Sequence, residues 1–167
     1  MSLSLLVPLA LTAGIAPGGT ARCAIGPEPV IQVQVAGLKD RSGVLRLELY
    51  PANEADFLKG DRELLSQGKV YRRAIAPTPA GGPALLCIRA PHAGPYALVV
   101  THDRDGKAKF NINMDGVGLP GAERLGFRRP RLAQAMVVAD AGVTAISVRM
   151  QYLQGLSGFG PVAIRGK

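Results

Sequence analysis

From Val30 to Leu38 apolar and polar side chains alternate, with Ile31, Val33 and Val35 on one side and Gln32 and Gln34 on the other. That period of two predicts a half-buried β-strand. Val44–Tyr50 repeats it, placing Leu45, Leu47 and Leu49 inward and Arg46 and Glu48 outward. The polar, glycine-containing stretch 37–43 between them predicts a β-hairpin. Further strands are expected at Val70–Ile75, Ala84–Ala90, Tyr96–His102, Gln134–Ala139 and Val143–Tyr152, the last with Ile146, Val148, Met150 and Tyr152 on one face. Asn53 is placed to cap a short helical turn whose Phe57 packs on the sheet. Seven short strands separated by Pro, Gly and Asn clusters, with almost no helix, predict an all-β chain. Its expected form is a single seven-stranded antiparallel β-sandwich over residues 30–152.

The flanks read differently. Leu3–Ile15 is an apolar run too short to span a bilayer as a helix, followed by Ala16-Pro17-Gly18-Gly19-Thr20-Ala21. It predicts a signal peptide over 1–21, although no Lys or Arg precedes Arg22. The expectation is therefore an exported protein, periplasmic or extracellular, and not an integral membrane protein. Cys23 lies in the linker 22–29 and Cys87 in a central strand, and in an exported chain an isolated pair predicts one disulfide. The glycine-containing tail, 153–167, is expected to be poorly ordered.

The longest departure from alternation follows Tyr96–Thr101. It runs His102-Asp103-Arg104-Asp105-Gly106-Lys107-Ala108-Lys109-Phe110-Asn111, and the polar excursion continues to Arg131. Here the chain resembles the domain-of-unknown-function family 2141 of exported bacterial proteins. The matching residues are Tyr96, Ala97, His102, Asp103, Gly116, Gly118, Leu119, Pro120, Gly126 and Phe127, with Val33, Val35, Gly37, Leu38 and Gly43 before them. The resemblance implies an immunoglobulin-like or transthyretin-like sandwich and supplies no mechanism. Two departures stand out: Lys107 and Ala108 replace the family's usual Asn and Gly, and Arg128-Arg129-Pro130 follows Gly126-Phe127.

Three chemistries compete for this segment. A calcium loop needs oxygens at alternate positions and a glycine at the turn. Asp103, Asp105 and Asn111 supply oxygens, but Lys107 brings an ammonium where an oxygen is needed. The favoured reading is an Asx-rich turn held by its own hydrogen bonds, in which a Lys107 pair with Asp103 or Asp105 replaces the cation. No cofactor is expected, calcium being the weak alternative. An acid/base site would pair His102 with Asp103 or Asp105, yet no Gly-x-Ser-x-Gly, His-Glu-x-x-His or Cys-His arrangement marks a nucleophile or metal. His102, in phase with Tyr96, Leu98 and Val100, is instead expected to cap the core rim and donate to a loop carbonyl or carboxylate. Tyr96 is expected to tie a turn through its hydroxyl.

Charge narrows the choice of partner. Lys and Arg number 20 against 12 Asp and Glu, a formal +8, and residues 1–21 carry none of it. Arg104, Lys107, Lys109, Arg124, Arg128, Arg129 and Arg131 all lie in the excursion. Such a field favours polyanions. Aromatic residues are too few to build a base-stacking surface, so nucleic acid is not expected. The expected function is a non-catalytic binding or structural module of the cell envelope, touching an anionic surface or glycan. The alternative is a metal-dependent or hydrolase-like site on His102, Asp103 and Asp105.

Overall fold

The computed structural model describes residues 23–24 and 26–162; the expected leader over 1–21 lies outside them. The chain is mostly β. It forms β1 (Val30–Ala36), β2 (Val44–Pro51), α1 (Asp61–Ser66), β3 (Arg72–Pro77), β4 (Ala84–Arg89), β5 (Gly94–Asp103) and β6 (Gly116–Gly118). It continues with α2 (Leu132–Ala135), β7 (Met136–Ala139), β8 (Val143–Arg149), β9 (Gln151–Leu153) and β10 (Phe159–Pro161). A three-stranded sheet has the order β4-β1-β8. A seven-stranded sheet runs β10-β9-β6-β5-β2-β3, with β7 paired to the first half of β5.

Both sheets feed one hydrophobic cluster. Ile31, Val33, Leu86 and Ile88 from the smaller sheet join Leu45, Leu47, Leu49, Leu98 and Val100 from the larger. These are the inward positions of the alternating runs, so the pattern placed the core correctly. The expected pairings were less accurate. β1 and β2 form no hairpin: β1 pairs with β4 and β8, β2 with β3 and β5, and the 37–43 loop crosses between sheets. Alternation fixes which face is buried and says nothing about which neighbour supplies the hydrogen bonds. The β1–β8 pair is parallel, the one exception to antiparallel pairing among the described residues; its connection is most of the domain, long enough for any parallel crossover.

The expected strand over 143–152 also divides. Met150 is fully buried between β8 and β9, where its N–H donates to Ala36 O, and the chain passes from one sheet to the other. Side-chain alternation continues through the switch, which is why the sequence reads as a single strand. The tail is ordered through Pro161, because β10 pairs with β9 and Phe159 exchanges backbone hydrogen bonds with Gly126. The larger sheet is covered on its other face too. Tyr50, Phe57, Leu64, Val99, Leu119, Leu125 and Phe159 form a second cluster under the 52–71 segment and the 103–131 excursion.

Candidate functional site

His102 and Asp103 are consecutive residues on β5, so their side chains leave opposite faces of the sheet. His102 points between the sheets and is fully buried. Its Nε2–H donates to Ser42 O at 2.8 Å, while Nδ1 accepts from the Tyr152 hydroxyl at 2.6 Å. Tyr152 Oη accepts in turn from the Lys39 N–H at 3.1 Å. Burial pushes the Tyr152 phenol up to about 12 and holds the His102 imidazole below its ordinary value, so the pair is neutral with a fixed tautomer. The chain Lys39–Tyr152–His102–Ser42 thus pins the loop that crosses between sheets. Asp40 of that loop accepts from Arg104 Nε at 2.7 Å and from Ser42; although burial opposes it, these bonds hold Asp40 well below the usual carboxylate range.

One row across the sheet makes this possible: Leu45, His102, Gly116 and Tyr152 are successive partners. The Tyr152 ring lies over Gly116, where a Cβ would stand 2.4 Å from it. Gly43, at φ +64°, faces the Asp103 carbonyl so closely that a Cβ would sit 2.0 Å away. Tyr152→Phe is expected to cost about 1–3 kcal/mol, because it leaves the buried His102 Nδ1 and the Lys39 N–H without partners. Urea unfolding measures this; a loss of a few tenths would show the hydroxyl to be dispensable.

Asp103 faces the outer side and is buried. Its Oδ2 accepts from Arg46 Nη2 at 2.6 Å and from the Ala108 N–H at 2.9 Å, while Arg46 Nη1 donates to the Ala108 carbonyl at 3.2 Å. Both backbone groups of Ala108 are therefore used, and they hold it at φ +62° despite its Cβ. Asp103, Asp105 and Asp115 bring one oxygen each within 4.8 Å of one another. Asp115, not Asn111, is the third member. The Asn111 N–H donates to Asp115 Oδ2, whereas the Asn111 side-chain oxygen accepts from Asn113 N–H. The cluster carries its own cations. Arg46 is paired with Asp103, and the Lys107 ammonium lies 3.2 Å from Asp105, which the Lys107 N–H and ammonium together hold below its ordinary value. Asp103 Oδ1 is buried without a hydrogen-bond partner among the described residues.

The expected basic cluster separates into parts. Arg104 is spent on Asp40 and the Met114 carbonyl, and Lys107 on Asp105. Lys109 and Arg129 are exposed. Arg124, Arg128 and Arg131 line one hollow of about 220 Å³ together with Gln134. Beside it, against the outer face of the larger sheet, lies a cavity of about 430 Å³. Val99, Thr101 and Val117, from the sheet, form its floor, and Leu125, Phe159 and Phe110 also line it. Buried Gln151 fixes Leu125, accepting from its N–H at 2.8 Å and donating to the Ala122 carbonyl at 2.9 Å.

Residues 33–147 match the family model described as an uncharacterized protein conserved in bacteria (DUF2141). The chain belongs to this family. No curated protein and no solved structure matches it. Several residues that carry the family resemblance now have physical roles in this chain. His102 and Gly116 seat Tyr152, Gly43 admits the β5 backbone, and the Tyr96 hydroxyl donates to the His92 carbonyl at 2.9 Å, tying that turn. The His-Asp step joins two separate networks, one on each face of the sheet. Sequence reasoning missed Arg46, Gln151 and the cavity. Arg46 occupied an outward strand position, and its burial became visible only once the excursion had folded over it.

Proposed function

We propose that this protein is an exported, non-catalytic binding module of the cell envelope, built as an immunoglobulin-like or transthyretin-like sandwich, whose contact surface is the outer face of the larger sheet. The observation that carries this reading is the cavity of about 430 Å³ on that face beside three arginines. The Cys23–Cys87 disulfide is compatible with export. A basic domain outside the cytoplasm meets anionic lipid surfaces and acidic glycans, and Arg124, Arg128, Arg129 and Arg131 supply the attraction. The test is co-sedimentation of protein recovered from cells expressing the full chain. Vesicles of phosphatidylglycerol mixed with phosphatidylcholine are compared with phosphatidylcholine alone. Association is expected on the anionic vesicles only and is expected to weaken several-fold as salt rises, since exposed charges are screened beyond about 8–10 Å near physiological ionic strength. Equal association with both vesicles, or none, would overturn it.

A second reading, a calcium-dependent or hydrolytic site on His102, Asp103 and Asp105, has one observation in its favour: the unpartnered Asp103 Oδ1 beside two more carboxylates. Against it stand the opposite orientations of His102 and Asp103 and the cationic partners Arg46 and Lys107.

A further inference from the structure

The two hollows differ in chemistry, and they adjoin at shared lining residues. Leu125 and Arg128 line both. In the larger one Val99, Val117, Leu125, Phe110 and Phe159 present apolar surface. Its charged residues other than Arg128 are already engaged. Arg46 is held by Asp103, and Glu48 accepts from Arg73 at 2.9 Å and from Tyr71 at 2.6 Å. Apart from Arg128 at its edge, a ligand body there meets no cationic or acidic group that needs a partner, so an apolar body fits and a polar one loses its hydration for nothing. The volume lies within the ~300–1,000 Å³ typical of small-molecule sites. In the smaller hollow the composition inverts. Arg124, Arg128 and Arg131 line it, no carboxylate does, and none of the three forms an ion pair among the described residues. Guanidinium forks of this kind bind carboxylate or phosphate by donating paired hydrogen bonds to its oxygens.

We propose that the joined hollows bind a single-chain anionic amphiphile. Its apolar chain lies over Val99, Val117 and Phe159, and its carboxylate or phosphate sits among Arg124, Arg128 and Arg131. The proposal rests on the outer-face reading above and specifies its ligand. Arg128 stands at the junction, where the chain ends and the head group begins. Free phosphate uses only the arginines, and a neutral detergent only the apolar floor; the amphiphile uses both. The exposed arginines set the polarity of binding, and the chain supplies most of the affinity, because burying a methylene is worth enough for about a fourfold gain in binding constant.

Calorimetric titration tests this with protein recovered from cells expressing the full chain, all ligands kept below micellar concentration. Affinity is expected to rise about fourfold per methylene from octanoate to dodecanoate. Dodecyl phosphate is expected to bind comparably to dodecanoate, and dodecyl maltoside and inorganic phosphate at least tenfold more weakly. Val117→Phe, which fills the floor, is expected to lower dodecanoate affinity tenfold or more and to weaken association with anionic vesicles far less. Arg128→Glu is expected to weaken both. A flat chain-length series overturns the proposal without any variant, as does maltoside or free phosphate binding as tightly as the dodecyl anions. Anionic vesicles that bind while dodecanoate does not would remove the amphiphile and leave the envelope-surface reading intact. Dodecanoate binding without vesicle association would do the reverse.

Discussion

Replacing Arg46 with methionine is expected to destabilise the protein by about 3–5 kcal/mol, the range for removing one partner of a buried ion pair. The long apolar side chain keeps much of the packing volume, so the loss reports charge more than a cavity. Both members are nearly inaccessible, with side-chain exposures of 8% and 3%. Asp103 would keep the Ala108 N–H but lose its counter-charge, and it lies beside the carboxylates of Asp105 and Asp115. Arg46 also holds the Ala108 carbonyl, so the left-handed turn at Ala108 loses one of its two supports. A combined Arg46→Met, Asp103→Leu variant is expected to recover much of the stability, since well-packed apolar pairs often match a buried ion pair. Urea unfolding at constant m measures both. A loss below about 1 kcal/mol for Arg46→Met would mean that the pair is hydrated and not buried. The same variant separates the two functional readings. If millimolar calcium restores the lost stability, the three carboxylates hold a cation once the guanidinium is gone. If calcium does nothing, the loop is a self-satisfied turn.

The features legible in the sequence were those that depend on periodicity. Ile31, Val33, Val35, Leu45, Leu47, Leu49, Leu98 and Val100 could be assigned to the core because a pleated strand repeats every two residues. Asn53, whose Oδ1 accepts from the Asp56 N–H at 2.9 Å, and Tyr96 could be assigned because caps and corners act locally. What escaped is non-local. The crossing of 37–43 between sheets is fixed by His102, Tyr152 and Arg104, residues 50 to 113 positions apart in their contacts. No window of sequence contains them together. Most of the second hydrophobic cluster escaped for a related reason: Phe57 was expected on the sheet, but Leu64, Leu119, Leu125 and Phe159 are scattered through polar segments with no period. That cluster is what turns Arg46 and Glu48 from outward strand residues into buried ones and encloses the cavity. The tail was misjudged on composition alone, since Gly158 and Gly160 permit a close approach. A Cβ on Gly158 would stand 2.3 Å from the Gly126 backbone.

Loss of the Cys23–Cys87 disulfide is expected to cost about 4 kcal/mol in the chain-entropy account, and less if the unfolded chain retains structure. The bond spans 64 residues, so its removal returns a large loop to the unfolded ensemble. Its position adds a native-state effect. β4 is an edge strand of a sheet with only three members, paired with β1 alone, and Cys87 ties it to the segment that leads into β1. Among the described residues the remaining ties of that segment are few: Arg89 donates to the Ala24 carbonyl at 3.1 Å, Ala90 N–H to Pro29 O at 2.9 Å, and Arg72 pairs with Glu28 at 3.3 Å. Two of these involve exposed side chains and are weak. The Cys23→Ser, Cys87→Ser variant should therefore unfold at a much lower urea concentration, and hydrogen exchange should quicken first in β4. Mass spectrometry of the wild-type protein without reductant is expected to find no free thiol. Two free thiols in protein recovered from outside the cytoplasm would remove the bond. An unchanged midpoint in the double variant would show instead that the bond only tethers an arm, with the three-stranded sheet held by β1 alone.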